Sequence, residues 1–116
     1  MSQSFTRNVR LRARSEFQSV QERGRRVSGR HMTLLALPNS FGVDRLGVIA
    51  SRRLGDAVTR NRAKRRVREI FRMTEPDQGQ IPALDIVVIP KRELTTGLFA
   101  TIQTEFHAAI RKLRAR

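Results

Sequence analysis

The chain lacks several features that would place it in other protein classes. It contains no cysteine, which excludes disulfide bridges and thiolate metal sites. Its first residues lack the apolar run of a signal peptide, and no apolar stretch approaches the roughly 20 residues that span a bilayer. We therefore expect a cytoplasmic protein without a membrane-spanning segment.

Side chains suited to catalysis are also scarce. His31 and His107 are the only histidines, and nothing in the sequence brings them together. The ten acidic residues are scattered, whereas a hydrolase needs converging acid–base groups or clustered carboxylates that hold a metal ion. The sequence therefore predicts no catalytic residue and no protein-borne metal site in this chain.

The scarcity of acids leaves a large excess of positive charge. Lys and Arg number 24 against 10 Asp and Glu, for a formal net charge of +14, and all the cations except three lysines are Arg. The planar guanidinium binds phosphate with two hydrogen bonds and stacks on bases. Anionic membranes suit this chain less well, because no helix combines a basic face with Trp or Phe anchors. The composition therefore favours a nucleic-acid partner.

The helices are predicted from apolar periodicity and from their capping residues. A first helix runs over 15–23, with Ser15 as its N-cap and Gly24 as its stop. A second runs over 57–73 behind Asp56, and a last helix is capped by Thr95 or Thr96.

The strands are predicted from short apolar runs. They cover 32–37, 45–50 and 85–89, with a hairpin loop between the first two, a loop at 76–82, and a further short strand near 7–12 or 25–29. The order α-β-β-α-β-α fits an α+β fold in which helices pack on one face of a central sheet. We expect one domain over 1–116, with basic, poorly structured ends at about 1–8 and 114–116.

The predicted helix at 57–73 concentrates the charge. Residues 60–68 contain six cations and no acid, and 52–72 supply half of the formal net charge. Its core face holds Thr59, Ala63, Val67, Ile70 and Phe71. A solvated helix usually mixes charges of both signs, whereas Arg60, Lys64 and Arg68 place like charges four residues apart, which destabilises the free helix. This pattern predicts a phosphate counter-charge, and the lack of a groove-reading module favours folded RNA over duplex DNA.

Residues 51–72 closely resemble the signature of the bacterial ribonuclease P protein subunit, whose centre is Arg60-Asn61-Arg62. Segments 11–17, 24–26 and 85–89 resemble other features of that family in the same order. The resemblance implies a single-domain α/β sandwich with a mixed central sheet and a left-handed β-α-β crossover. It also implies a protein that binds a catalytic RNA and helps to remove the 5′ leader of precursor tRNA, with catalysis in the RNA.

The resemblance also implies roles for particular residues. Contacts with the catalytic RNA subunit are assigned to Arg60, Asn61, Arg62, Lys64, Arg65 and Arg68. Phe17 would line a cleft for the leader, with Ser51, Arg52 and Arg53 nearby on the sheet, although spacing alone favours a core position for Phe17. Gln21 and Leu35 stand where some members have aromatic residues, so stacking on leader bases is expected to be weaker.

The resemblance further implies Mg²⁺ held mainly by the RNA, with no membrane partner and no required protein partner. The alternative is a structural RNA-binding protein of ribosomal type without an enzymatic role. Composition does not separate the two, whereas the motif at 51–72 favours ribonuclease P.

Overall fold

The computed structural model describes residues 10–73 and 82–115. The helices are α1 (Arg14–Arg23), α2 (Ala57–Arg72), α3 (Arg92–Thr96) and α4 (Phe99–Arg114), with a 3-10 turn at Arg52–Leu54. The strands are β1 (Arg25–Ser28), β2 (Met32–Pro38), β3 (Arg45–Val48) and β4 (Leu84–Pro90). The expected α+β class is confirmed, and the short strand expected near 25–29 is β1.

The strands form one mixed sheet in the order β1-β2-β4-β3. β1 and β2 pair antiparallel, as do β2 and β4, whereas β3 and β4 pair parallel and are joined through α2. The predicted hairpin between β2 and β3 is wrong, because β4 lies between them. A strand that is apolar on both faces belongs at the centre of a sheet, where both faces are covered. The left-handed sense of the β3-α2-β4 connection stays a prediction.

Helices cover both faces of this sheet, so the prediction that they pack on one face is wrong. Leu35 and Val87 point toward α1, where they pack with Val20 and Leu11. The neighbouring positions of β2 and β4 point the other way, into a larger core formed with α2 and α4. Adjacent residues of a strand face opposite sides, so two continuously apolar central strands require a helical layer on each side.

The start of α1 differs from the prediction. The N-cap is Ala13, not Ser15. The carboxylate of Glu16 accepts hydrogen bonds from the backbone N–H groups of Arg12 at 2.8 Å and Ala13 at 3.0 Å, which fixes the turn into the helix. The helix stops at Gly24 as predicted, where a Cβ would lie 2.8 Å from the carbonyl oxygen of Ala36 on β2.

The start of the last helix was also predicted wrongly. Thr95 caps no helix; its hydroxyl donates to the carbonyl of Arg92 at 2.7 Å inside the separate helix α3. Helix α3 ends before Gly97, and α4 begins at Phe99. Its N-cap residue, Leu98, is 76% exposed. A Cβ at Gly97 would lie 2.9 Å from the His31 ring, so this close approach favours glycine at the break.

The remaining boundaries lie close to the predictions. Asp56 caps α2, accepting from the backbone N–H of Thr59 at 2.9 Å. β3 ends at Val48, two residues earlier than expected. The predicted end at 1–8 and all of the predicted loop at 76–82 except Pro82 lie outside the described residues. Arg114 belongs to α4, so the poorly structured end predicted at 114–116 begins too early.

Candidate nucleic-acid interface

α2 presents a buried apolar side and a cationic outer side. Ala63, Val67, Ile70 and Phe71 are buried as predicted, and Thr59 is half-buried. The six predicted RNA-contact residues all lie on α2; Asn61, Arg62 and Arg65 are exposed, and Arg60, Lys64 and Arg68 are half-buried. The apolar stripe therefore fixes the helix against the sheet and turns its cations outward.

A cavity of about 450 Å³ lies on this outer side and is called the α2 cavity here. It is lined by Arg10, Asn61, Arg65, Arg68 and Arg72. No motif or spacing indicates Arg10, because this residue reaches the cavity through a backbone bridge to Leu46 on β3. Four arginine side chains and the amide of Asn61 thus line one cavity. Glu69 supplies a nearby negative charge, in an exposed ion pair with Arg72 at 3.1 Å.

A second opening of about 260 Å³ runs along the outer edge of β3 and is called the Phe17 groove. It is lined by Arg10, Leu11, Arg12, Phe17, Leu46, Gly47, Val48, Lys64 and Arg68. The backbone N–H of Ile49 donates to Val88 on β4 at 2.9 Å. Because main-chain groups alternate in direction along a strand, the N–H and C=O of Val48 point away from β4 and toward this groove.

Phe17 is both a packing residue and a groove residue. Its ring is half-buried, packs against the α1-side core, and lies directly over Gly47, where a Cβ would be 2.7 Å from Cζ of the ring. Leu35 is only 4% exposed and lies beneath α1, so it is not accessible to a base. Gln21 is exposed on α1 and does not line the groove.

Ser51, Arg52 and Arg53 lie elsewhere than expected. They are exposed, but they occupy the N-cap and first residues of the 3-10 turn, not the sheet. None of the three lines the Phe17 groove. The expectation that they lie on the sheet is wrong because β3 ends at Val48.

Some arginines of α2 form hydrogen bonds within the protein in addition to contributing positive charge. Arg66 donates from Nη1 to the carbonyl oxygens of Leu94 at 2.7 Å and Gly97 at 2.9 Å, which are at the C-terminal end of α3. Arg60 donates to the carbonyl of Gly55 at 3.1 Å. Cations near such carbonyls complete helix-end hydrogen bonding, so these guanidiniums have structural partners on the protein itself.

A charged network holds the groove wall in place. Arg45 on β3 donates from Nε and Nη2 to the two carboxylate oxygens of Asp85 on β4, each at 2.8 Å, and from Nη1 to Glu16 at 3.3 Å. The hydrogen bond from the backbone of Arg12 is the main cause that lowers the pKa of Glu16, with Arg45 contributing. The network thereby joins α1, β3 and β4 beside the Phe17 groove.

A sequence profile of the family described as Ribonuclease P matches residues 5–114. This chain belongs to the ribonuclease P protein family. The ribonuclease P protein component of Thermotoga petrophila is 39% identical over 114 residues, which cover 97% of this chain and 92% of the relative. That of Desulfatibacillum aliphaticivorans is 45% identical over 90 residues, covering 77% of this chain and 74% of the relative.

Solved ribonuclease P proteins share the fold. The protein from Thermotoga maritima matches with a TM-score of 0.80 at 30% identity, over 91% of this chain and 98% of that one. The protein from Staphylococcus aureus matches with a TM-score of 0.74 at 30% identity, over 92% and 98%. The resemblance and the role as a ribonuclease P subunit in tRNA processing are therefore confirmed, and nothing favours the ribosomal alternative.

Neither histidine of this chain lines the Phe17 groove. Nδ1 of His31 lies 2.8 Å from Glu105, whose other carboxylate oxygen accepts from the His31 backbone at 3.0 Å. His107 is half-buried on α4 and lines a small space with Asp44 and Arg114. The described part of the chain holds no group of three His, Asp or Glu residues that could bind a metal ion.

Across residues 10–73 and 82–115, none of the helices is both long enough and apolar enough to cross a bilayer.

Proposed function

We propose that this chain binds the catalytic RNA of ribonuclease P on the outer side of α2 and the 5′ leader of precursor tRNA in the Phe17 groove. One observation carries the proposal: a dense cationic helix face and a groove with a partly exposed aromatic ring lie side by side on one small domain. Two neighbouring sites of different character suit two RNA segments that must be held together.

The α2 face suits the larger RNA. Asn61, Arg62 and Arg65 are exposed, and the α2 cavity gathers guanidinium groups that can each hold phosphate with paired hydrogen bonds. The like charges along α2 repel one another, so a bound phosphate backbone relieves a strain already present in the free helix. This argument supports the six α2 residues as the RNA-subunit contact, with Lys64 and Arg68 also lining the Phe17 groove.

The Phe17 groove suits a single strand. It combines one aromatic ring, the strand edge at Val48 and the cations Arg12 and Lys64. Aromatic faces with flanking cations bind unpaired bases without demanding a sequence, and the Val48 main chain adds hydrogen-bonding groups. Among the described residues that line the groove, Phe17 is the only aromatic one, so we infer weak base stacking and a large share of affinity from phosphate contacts.

In this proposal hydrolysis belongs to the RNA subunit, and the RNA mainly holds the Mg²⁺. The carboxylates of Glu16 and Asp85 beside the groove are bound to Arg45, and that of Glu105 is bound to His31. The protein contributes by reducing the repulsion between catalytic RNA and substrate and by positioning the leader. It requires no other protein and acts in the cytoplasm.

Cleavage of a precursor tRNA with a 5′ leader tests this function. The reaction is run at near-physiological Mg²⁺ with protein alone, with a bacterial ribonuclease P RNA alone, and with both. We expect efficient cutting at the mature 5′ end only by the pair. Cutting by protein alone would overturn the assignment of catalysis to the RNA, and RNA binding without stimulation would overturn the subunit proposal.

A further inference from the structure

The α2 cavity and the Phe17 groove share two residues, Arg10 and Arg68. Each of the other lining residues belongs to one opening only. Arg10 comes from the segment that bridges to Leu46, and Arg68 from the C-terminal half of α2. The two openings are therefore neighbours around the outer edge of β3, and this pair lies at their junction.

The positive charges of Arg10 and Arg68 act on each other. Arg68 is half-buried, and burial, followed by the positive charge of Arg10, lowers the pKa of Arg68. Two neighbouring guanidinium charges repel, and the partial burial of Arg68 strengthens the attraction of its guanidinium for an anion. A phosphate oxygen pair placed between two planar guanidiniums accepts hydrogen bonds from both.

We propose that Arg10 and Arg68 together hold one phosphate of the single-stranded RNA that occupies the Phe17 groove, so that this strand continues from the groove onto the α2 face. The inference rests on the proposed function and adds a subsite to it. It makes the two openings one path for a single strand, and it gives Arg10 a role that the basic motif on α2 does not indicate.

The chain offers a matched pair of control residues. Arg12 lines only the Phe17 groove, and Arg72 lines only the α2 cavity. The test uses Arg10→Ala, Arg68→Ala and their double variant beside Arg12→Ala, Arg72→Ala and theirs. The probe is a labelled single-stranded RNA of about ten nucleotides, within the usual site size of such grooves. Its affinity for the full chain is measured by fluorescence anisotropy.

If Arg10 and Arg68 hold the same phosphate, the fold-losses of RNA affinity in the two single variants should not multiply in the double variant. Arg10→Ala and Arg68→Ala should each weaken binding about 10-fold, and the double variant only slightly more than either, because the first change already loses the two-sided contact. For the control residues Arg12 and Arg72, the two fold-losses of affinity should multiply in the double variant, since these residues line different openings. Effects of Arg10→Ala and Arg68→Ala that multiply like those of the control pair would overturn the shared phosphate.

A second arm identifies the source of the phosphate. The same variants are titrated against the catalytic RNA without substrate. A non-multiplying effect seen with the catalytic RNA and not with the oligonucleotide would overturn the proposal, because the phosphate would then belong to the RNA subunit. A non-multiplying effect with the oligonucleotide supports it.

The proposed function is tested separately by the wild-type protein. Failure of the wild-type protein to stimulate cleavage rejects the subunit proposal itself. Stimulation by the wild-type protein together with multiplying effects rejects only the junction site. Arg68→Lys keeps the charge but loses the paired donors, so we expect an affinity between those of wild type and Arg68→Ala, with an unchanged unfolding transition.

Discussion

The ring of Phe17 on α1 rests on the bare backbone of Gly47 on β3. A Cβ on Gly47 would approach Cζ of the ring to 2.7 Å and a methyl carbon of Leu11 to 3.1 Å. The absence of a side chain at position 47 is what lets α1 sit close to β3 and leaves part of the ring facing the groove.

Gly47→Ala should displace the Phe17 ring and narrow the groove. We expect a loss of about 1–3 kcal/mol in the free energy of unfolding from overpacking, measured by chemical denaturation, together with weaker binding of single-stranded RNA. The double variant Gly47→Ala/Phe17→Leu removes the clash and should recover part of the lost stability. Equal stability of the single and double variants would show that the ring does not press on position 47.

Phe17→Ala should impair use of the leader more than assembly with the RNA subunit. The half-buried ring makes this change destabilising by about 1–3 kcal/mol, so kinetics are measured well below the unfolding transition. We expect KM to rise for a substrate with a long leader and to change little for one with a leader of a single nucleotide. Phe99→Ala is the control, since Phe99 is also half-buried but packs against the core formed with α2 and α4 and does not line the groove. Identical changes for both leaders would remove the leader role of Phe17.

Charge reversal at Arg65 should weaken binding of the RNA subunit. Arg65 is exposed and lines the α2 cavity, so Arg65→Glu should lower affinity by about 10- to 100-fold at moderate salt. The slope of log affinity against log salt should fall by about 1 to 2. Arg111→Glu on α4 changes the net charge equally outside both openings and serves as control. The same loss with both variants would mean that total charge, not the α2 face, determines affinity.

Arg66→Ala should act on stability, in contrast to its neighbour Arg65. Loss of the hydrogen bonds to Leu94 and Gly97 leaves carbonyls at the end of α3 without these partners, which should cost about 1–3 kcal/mol of unfolding free energy. Arg65→Ala should leave the unfolding free energy nearly unchanged. If Arg66→Ala instead alters the salt dependence of RNA binding as strongly as Arg65→Ala does, Arg66 contacts RNA.

Glu16 should contribute to acid sensitivity. Hydrogen bonding in the folded state lowers its pKa below the ordinary value of 4.5, so its stabilising contribution is complete above that value and is lost as the pH falls through the folded pKa. Denaturation midpoints measured between neutral and acid pH should therefore fall less steeply for Glu16→Gln than for wild type. Parallel curves for the two proteins would show that Glu16 is not linked to folding.

Local patterns predicted the features that depend on neighbouring residues. The cap at Asp56, the buried stripe of α2 and the stop at Gly24 follow from spacings of a few residues, and the structure confirms them. The residues outside such patterns were missed. The carboxylate of Glu16, not the hydroxyl of Ser15, stabilises the start of α1. Glu16 also accepts a hydrogen bond from Arg45, which is 29 residues away.

The site needed long-range contacts that no spacing reveals. Arg10 reaches the α2 cavity only because its segment pairs with β3, and Gly47 matters only because Phe17 lies above it. The hairpin prediction failed for the same reason, since the insertion of β4 between β2 and β3 depends on a strand about 40 residues further along the chain. Sequence could assign charge to α2, but not the path that joins it to the groove.

The position of β4 also orders events during synthesis. β4 is the last strand in the chain and the central neighbour of both β2 and β3, which do not pair with each other. A nascent chain that has been made only as far as α2 therefore has no main-chain partner for β3 among the described strands. The arginine-rich helix thus leaves the ribosome before β4, the strand that joins β2 to β3 in the sheet beneath it, and that sheet is completed only after residue 90 has been added.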